Sequence, residues 1–153
     1  MELEFNERLV SLQVEVDDAI QALRVGAKLM ESCGYVKTSY ESAIIDRESK
    51  YPTGIPTQPI GVAIPHTDIE HVNQPAVAVL TLQRPVEFQM MGNPEESVPV
   101  RILFVLAITD HEAQIEMLVR LSEILQDSAL LEQLLLITDV KEVVRVLAVG
   151  LTN

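Results

Sequence analysis

Alternating and periodic apolar positions divide the first third of the chain into a strand and two helices. Apolar and polar residues alternate over residues 10–16, which predicts a half-buried strand. The next apolar residues recur at helical spacing until Gly34, a residue typical of the position just after a helix. Thr38 and Glu41 have the spacing of a capping box and predict a second helix that runs to about Lys50.

The middle of the chain has the pattern of a sheet. Prolines and glycines break residues 52–61 into turns and extended pieces. Two nearly continuous apolar runs, 76–82 and 98–108, are rich in β-branched residues, which is typical of central strands covered on both faces. Between these runs, alternating residues up to Met90 lead to a loop around Gly92.

Helical spacing returns in the last third and continues to the end of the chain. It predicts three helices, the first with an apolar face that includes Ile115, Leu118 and Leu121, and the last with a capped start at Asp139. No linker rich in proline, glycine or serine divides the sequence. We therefore predict one α/β domain over residues 1–153, a mixed β-sheet flanked by helices.

Composition and charge narrow the classes of function. Among 153 residues, 11 are Lys or Arg and 23 are Asp or Glu, and the resulting net charge of −12 disfavours binding to nucleic acid or anionic membranes. The longest apolar run is far shorter than the roughly 20 residues that cross a bilayer, and the chain does not begin like a signal peptide. Cys33 is the one cysteine, which suits a reducing compartment. We expect a cytoplasmic protein without nucleic-acid partners or membrane insertion.

The candidate reactive side chain is His66, which follows a short apolar run. Pro65 stops that run because proline cannot donate to a sheet ladder, and it keeps Ile64 extended. His66 is therefore expected at a strand end, where a neutral imidazole nitrogen is nucleophilic near pH 7. The alternative is that His66 merely caps the strand.

Arg47 lies on a helix face that is otherwise apolar. It shares the face of Tyr40 and Ile44 at helical spacing, so its permanent charge needs a partner. That partner is either an internal carboxylate or a phosphate group, whose geometry the forked guanidinium matches. The segment 51–55 follows directly and could fold the chain back so that Arg47 and His66 meet.

The residues around Arg47 and His66 together resemble the signature of a protein family. The Arg47-Glu48 pair, the sequence Pro-Thr-Gly-Ile at 52–55 and the sequence Gly-Val-Ala-Ile-Pro-His at 61–66 are similar to the fructose/mannitol class of enzyme IIA of the sugar phosphotransferase system (PTS). The resemblance spans nearly the whole chain. The sequence Tyr-Pro-Thr-Gly-Ile at 51–55 and the presence of both His66 and His71 are most similar to the galactitol-type members.

The resemblance implies a phosphocarrier with the mannitol-type enzyme IIA fold. In the family, the histidine that corresponds to His66 takes a phosphoryl group from the phosphocarrier protein HPr and gives it to a cysteine of an enzyme IIB. The family's arginine corresponds to Arg47, while Thr53 is a suitable further donor to the phosphoryl oxygens and Gln114 a possible one. No cofactor, metal or direct sugar binding is implied, and the subgroup suggests galactitol as the transported polyol.

The late helix carries two further candidates, Gln114 and His111. Mannitol-type members have a second active-site histidine at the start of this helix, and the register of its leucines puts Gln114 at that position. Galactitol-type members tend to have glutamine there. His111 lies three residues earlier, either one turn away near the site or simply exposed at the helix start.

Docking and ring geometry give two more expectations. Both partner proteins must reach His66, so an apolar patch is expected around it, including Ile55, Ile69 or the Met90-Met91 pair. The ring nitrogen of His66 that does not take the phosphoryl group should be held by a carbonyl or hydroxyl.

Two other functions remain open from the sequence. His66, His71 and His111 are a usable ligand set for zinc, although five residues place His66 and His71 on different faces of a helix or strand. A regulatory module, phosphorylated at His66 to signal rather than to feed sugar uptake, would use the same chemistry. The lack of an attached DNA-binding or sensor domain favours transport.

Overall fold

Residues 3–152, the part of the chain that the computed structural model describes, form a five-stranded mixed sheet with helices on both faces. The predicted domain of 1–153 also contains residues 1, 2 and 153, which lie outside this range. The strands are β1 (Val10–Val14), β2 (Gly54–Ile55), β3 (Gly61–Ala63), β4 (Ala76–Met90) and β5 (Asn93–Ala107). The helices are α1 (Ala19–Ser32), α2 (Tyr40–Lys50), α3 (His111–Leu125), α4 (Ser128–Leu136) and α5 (Val140–Thr152).

The centre of the sheet is the long antiparallel hairpin of β4 and β5, in which Ala76 faces Ala107. Its turn contains Gly92 at φ +79°, a left-handed conformation that glycine adopts at low cost. The predicted apolar runs 76–82 and 98–108 lie mainly within these two strands. β1 is parallel to β4, and β3 is parallel to β5. The short β2 pairs antiparallel with β3 and reaches Met90 at the far end of β4.

Alternate residues of the central strands pack on opposite faces of the sheet. In β5, Leu103 and Val105 pack with the buried residues of α1 and α2, whereas Ile102 and Phe104 pack with those of α3, α4 and α5. Both sets are fully buried. This arrangement explains why the strand reads as a continuous apolar run, and it confirms the predicted mixed sheet flanked by helices.

The first helix ends before Gly34 as predicted, whereas the second starts later than predicted. Asp18 caps α1 by accepting a hydrogen bond from Gln21 N, and Gly34 follows the helix at φ +80°. The predicted capping box of Thr38 and Glu41 is wrong, because α2 begins at Tyr40. Tyr40 is buried and its hydroxyl donates to Leu106 O at 2.6 Å, a long-range contact between the first turn of α2 and β5. The Glu41 carboxylate instead lies 3.3 Å from Lys28 Nζ of α1.

The buried face of α3 includes the predicted Leu121 but not the predicted Ile115. Met117, Leu121 and Ile124 are buried, but Ile115 is 65% exposed. Asp110 fixes the register by accepting a hydrogen bond from Ala113 N at 2.8 Å. At the other end of the domain, Asp139 accepts from Lys141 N at the start of α5, which confirms the predicted cap. None of the helices between residues 3 and 152 combines the length and apolar character needed to span a bilayer.

Candidate active site

The end of β3 delivers His66 to the protein surface. Just past the strand, Pro65 O accepts a hydrogen bond from Leu106 N at 2.9 Å, so the chain stays against β5. Ile64 N donates to Thr53 O at 3.4 Å, which holds the preceding segment alongside. His66 follows and is only partly buried. The predicted position of His66 at the end of an apolar strand is confirmed.

One ring nitrogen of His66 is held by the backbone. Nδ1 lies 2.9 Å from Ile64 O, and because a carbonyl can only accept, Nδ1 carries the proton and Nε2 keeps its lone pair. Burial lowers the pKa of the imidazole; the Ile64 carbonyl opposes this, the Arg47 charge adds to it, and the Asp68 carboxylate also opposes it. The net lowering favours a neutral ring at pH 7, with Nε2 as the nucleophile.

Arg47 lies in the last turn of α2 and has two partners in the site. Its Nη1 is 3.5 Å from Asp68 Oδ1, and its guanidinium carbon is 5.1 Å from the centre of the Tyr51 ring. Its Nε is buried and has no hydrogen-bond partner among residues 3–152. Of the two partners that the sequence allowed for Arg47, the internal carboxylate is therefore present. It is Asp68, in the loop that follows His66.

Two surface clefts meet at Arg47 and His66, and each has a volume of about 460 Å³. Besides Arg47 and His66, the polar cleft is lined by Thr67, Asp68, Ile69, Glu70, His111 and Gln114. The apolar cleft is lined, besides the same two residues, by Lys50, Tyr51, Pro52, Thr53, Ile64, Met91, Gly92, Pro94 and Leu118. The segment 51–55 thus brings Arg47 and His66 together, as the sequence suggested.

Thr53 borders the apolar cleft, but its hydroxyl is already engaged. Thr53 Oγ1 donates to Glu48 Oε1 at 2.8 Å, and Thr53 N donates to Glu48 Oε2 at 2.7 Å. The residue itself is 3% exposed. A hydroxyl has one hydrogen to donate, so in this arrangement Thr53 has none left for a phosphoryl oxygen.

Glu48 is the carboxylate that holds Thr53. Its burial raises the pKa to about 7, although the hydrogen bonds from the Thr53 backbone and side chain and the nearby Arg47 charge all act to lower it. Because this carboxyl group titrates near neutrality, the stability of the structure around Arg47 should depend on pH. Glu48 belongs to the Arg47-Glu48 pair of the family signature, but the sequence assigned it no role.

The start of α3 places both late candidates in the polar cleft. Gln114 is half-buried and His111 is exposed, and both line the cleft together with His66. The two alternatives for His111 therefore hold at once, because it is exposed at the helix start and also near the site. Sequence reasoning missed one residue in this cleft, Asp68. The only indication in the sequence is its position, a carboxylate two residues after His66.

His71 lies apart from both clefts. Its Nδ1 is 2.8 Å from Ser39 Oγ, and its Nε2 is 3.8 Å from a Glu70 carboxylate oxygen. Among residues 3–152, no three His, Cys, Asp or Glu side chains are placed to hold a metal ion together. The alternative zinc set of His66, His71 and His111 is therefore not assembled in the structure.

The chain belongs to the family described as phosphoenolpyruvate-dependent sugar phosphotransferase system, EIIA 2, whose profile matches residues 4–149. Proteins of this family are phosphotransferase components that carry a phosphoryl group between proteins. This family membership confirms the resemblance drawn from Arg47, His66 and the residues around them.

Two curated relatives and one solved structure illustrate the similarity. The PTS system galactitol-specific EIIA component of Escherichia coli K12 is 28% identical over 129 residues, which cover 83% of this chain and 85% of that protein. The transcriptional regulator ManR of Bacillus subtilis 168 is 33% identical over 106 residues, which cover 69% of this chain and 15% of ManR.

The solved structure is a complex of enzyme IIA and phosphorylated enzyme IIB for mannitol from Escherichia coli. It matches with a TM-score of 0.78 and 23% identity, covering 95% of this chain and 98% of that chain. At this identity the match shows a shared fold, and it confirms the predicted mannitol-type enzyme IIA architecture.

Proposed function

We propose that this chain is a cytoplasmic phosphocarrier that takes a phosphoryl group from phosphorylated HPr onto Nε2 of His66 and passes it to a cysteine of an enzyme IIB. The single observation behind the choice of atom is the contact of 2.9 Å between His66 Nδ1 and Ile64 O. That contact leaves Nε2 unprotonated on a ring that lines two open clefts beside an arginine.

The transfer is a displacement at phosphorus. The bond from phosphorus to the donor atom of HPr breaks and its electron pair stays on that atom, while the lone pair of His66 Nε2 forms a new bond to phosphorus. The proton on Nδ1 stays in its hydrogen bond to Ile64 O, which stabilises the positive charge that the phosphorylated ring acquires. Arg47 supplies donors to the phosphoryl oxygens, and the amide of Gln114 is the second candidate donor in the same cleft.

Docking of the partner proteins requires an accessible surface around His66. Ile69 and Met91 are 43% and 44% exposed on the rims of the two clefts, and Ile115 of α3 is also exposed. Ile55 and Met90, which the sequence also suggested for this patch, are half-buried against the core. Support for an enzyme IIB partner comes from the solved complex with the same fold, in which an enzyme IIA is bound to phosphorylated enzyme IIB.

Galactitol is the proposed polyol, on the basis of the galactitol-specific relative. The experiment that tests this substrate is reconstitution with HPr and candidate enzyme IIB and IIC proteins, followed by identification of the sugar that becomes phosphorylated. The alternative of a regulatory role has its own support in the similarity to the transcriptional regulator ManR. A strain that lacks this chain but still takes up the polyol at the wild-type rate would favour the regulatory role.

Labelling of the three histidine variants tests the phosphocarrier role directly. Incubated with phosphorylated HPr, the wild-type protein should gain one phosphoryl group. That group should be acid-labile, because a phosphoramidate hydrolyses in acid. His71→Ala and His111→Ala should still gain it, and His66→Ala should not. Labelling of His66→Ala, or an acid-stable adduct on the wild type, would contradict the proposal.

A further inference from the structure

Asp68 places a negative charge in the polar cleft that Arg47 and His66 also line. It stands two residues after His66, in the loop between β3 and the short 3-10 turn Ile69–His71. Its side chain is 69% exposed and lines the polar cleft together with Arg47 and His66. One of its carboxylate oxygens lies 3.5 Å from Arg47 Nη1, so the arginine already has an anionic partner when His66 is unmodified.

Asp68 also acts on the histidine itself. Its carboxylate raises the pKa of the His66 imidazole, whereas the guanidinium of Arg47 lowers it, so both charges lie within electrostatic range of the ring. A phosphoryl group on Nε2 brings up to two negative charges into the same cleft. It would be attracted by Arg47 and repelled by Asp68.

Resting on the phosphocarrier function proposed above, we infer that Asp68 competes with the phosphoryl group for Arg47 and so weakens the retention of that group on His66. An arginine without a competitor would hold the phosphoryl group more tightly and oppose its release. Arg47 is half-buried, but Asp68 is exposed and the contact between them is long, so the ion pair is easy to break when the phosphoryl group arrives and to re-form when it leaves.

The competition acts in both directions of the transfer cycle. In the forward step, the thiolate of the enzyme IIB cysteine attacks phosphorus, a phosphorus–sulfur bond forms, and the electron pair of the broken bond returns to Nε2 of His66. Arg47 then returns to Asp68. Each step exchanges one anionic partner of Arg47 for another, so the guanidinium is never left without a counter-charge.

Glu70 provides a matched control in the same cleft. It lines the polar cleft and is highly exposed, but its carboxylate lies 3.8 Å from His71 Nε2 rather than near Arg47. Removing the charge of Glu70 changes the net charge of the protein as much as removing that of Asp68. A difference between the two variants therefore reports the position of the charge.

The experiment measures the equilibrium of phosphoryl exchange with HPr. Equal amounts of phosphorylated HPr and of this protein are mixed, and the phosphorylated fraction of each is read by ³¹P NMR. Asp68→Asn should shift the equilibrium constant toward the phosphorylated form of this protein by about threefold to tenfold, since one repulsion and one competitor are removed. Asp68→Glu, which keeps the charge, and Glu70→Gln should stay within about twofold of the wild type.

The outcomes separate this inference from the proposed function. If the wild type is phosphorylated and Asp68→Asn gives the same equilibrium constant or a smaller one, the role of Asp68 is overturned and His66 remains a phosphocarrier. If Glu70→Gln shifts the equilibrium as much as Asp68→Asn, the effect is one of net charge and the inference again fails. If the wild type takes no phosphoryl group from HPr, the proposed function itself is contradicted, and the inference with it.

Discussion

The carboxylate of Glu48 accepts two hydrogen bonds from one residue, Thr53, at 2.7 Å from its backbone nitrogen and 2.8 Å from its hydroxyl. This pair joins the end of α2 to the segment that leads into β2. Arg47 precedes Glu48 on the helix, and Thr53 O accepts a hydrogen bond from the nitrogen of Ile64, two residues before His66. The contact between Glu48 and Thr53 therefore lies behind the candidate active site and holds its two halves together.

Glu48 should make the stability of the fold depend on pH. Burial raises its folded pKa from 4.5 to about 7, so its contribution is fully present below pH 4.5 and is lost as the pH rises through about 7. Glu48→Gln lacks this titration. The stability of the wild type relative to the variant should fall by about 2–3 kcal/mol between pH 4.5 and pH 8, as measured by urea unfolding.

The exposed Glu123 of α3 supplies the control for that series. Glu123→Gln removes a surface carboxylate without touching the contact with Thr53. If the free energies of unfolding of the wild type and Glu48→Gln differ by the same amount across the pH range, Glu48 is more solvated than its surroundings suggest.

Thr53→Val should act on stability more than on phosphoryl transfer. The substitution keeps the shape of the side chain but removes the hydrogen bond to the buried Glu48 carboxylate, which should lower the free energy of unfolding by about 1–3 kcal/mol. The rate of transfer from phosphorylated HPr to the folded variant, followed by rapid quench, should drop by less than about tenfold. A loss of a hundredfold or more without loss of stability would show that the hydroxyl reaches the phosphoryl group after all.

Arg47→Lys should leave the fold intact and slow the transfer. Lysine keeps the positive charge but replaces a two-pronged donor by a point charge, and loss of one such donor typically costs about 3 kcal/mol in barrier, or roughly a hundredfold in rate. Single-turnover transfer from phosphorylated HPr measures this effect. Arg24→Lys, on the exposed side of α1, is the matched control and should transfer at the wild-type rate. Equal rates for both variants would reduce Arg47 to a structural ion pair with Asp68.

Local patterns in the sequence predicted the sheet and singled out His66 and Arg47, and the resemblance to the enzyme IIA family then implied their roles. The apolar runs that became β4 and β5 are buried on both faces, and such burial leaves a direct mark on composition. The position of His66 was predicted because Pro65 ends a short apolar run, and a strand end is a local feature. Arg47 stood out because a charge on an apolar helix face needs a partner.

Features that depend on contacts distant in sequence could not be predicted in the same way. The local capping signal put the start of α2 at Thr38, whereas the helix begins at Tyr40, whose hydroxyl donates to Leu106, 66 residues away. The face of α3 was assigned to Ile115, yet the register that buries Met117 leaves Ile115 in solvent. Asp68 gave no periodic signal in the sequence, because it lies in a loop. Its role depends on its contact with Arg47, which the sequence does not show.

Gln114 and His111, at the start of α3, both line the polar cleft and are the two candidates for its second donor. Gln114 is half-buried beside the cleft, whereas His111 is exposed in the first turn of the helix, where its side chain is freer to move. Gln114→Ala should therefore slow single-turnover transfer from phosphorylated HPr more than His111→Ala does, by up to about a hundredfold if the amide contacts the phosphoryl oxygens. Gln114→Asn tests reach, because it keeps the amide but shortens the side chain. The opposite ranking of the two alanine variants would assign the second donor to His111 and would show that the register chosen for Gln114 is off by about one turn.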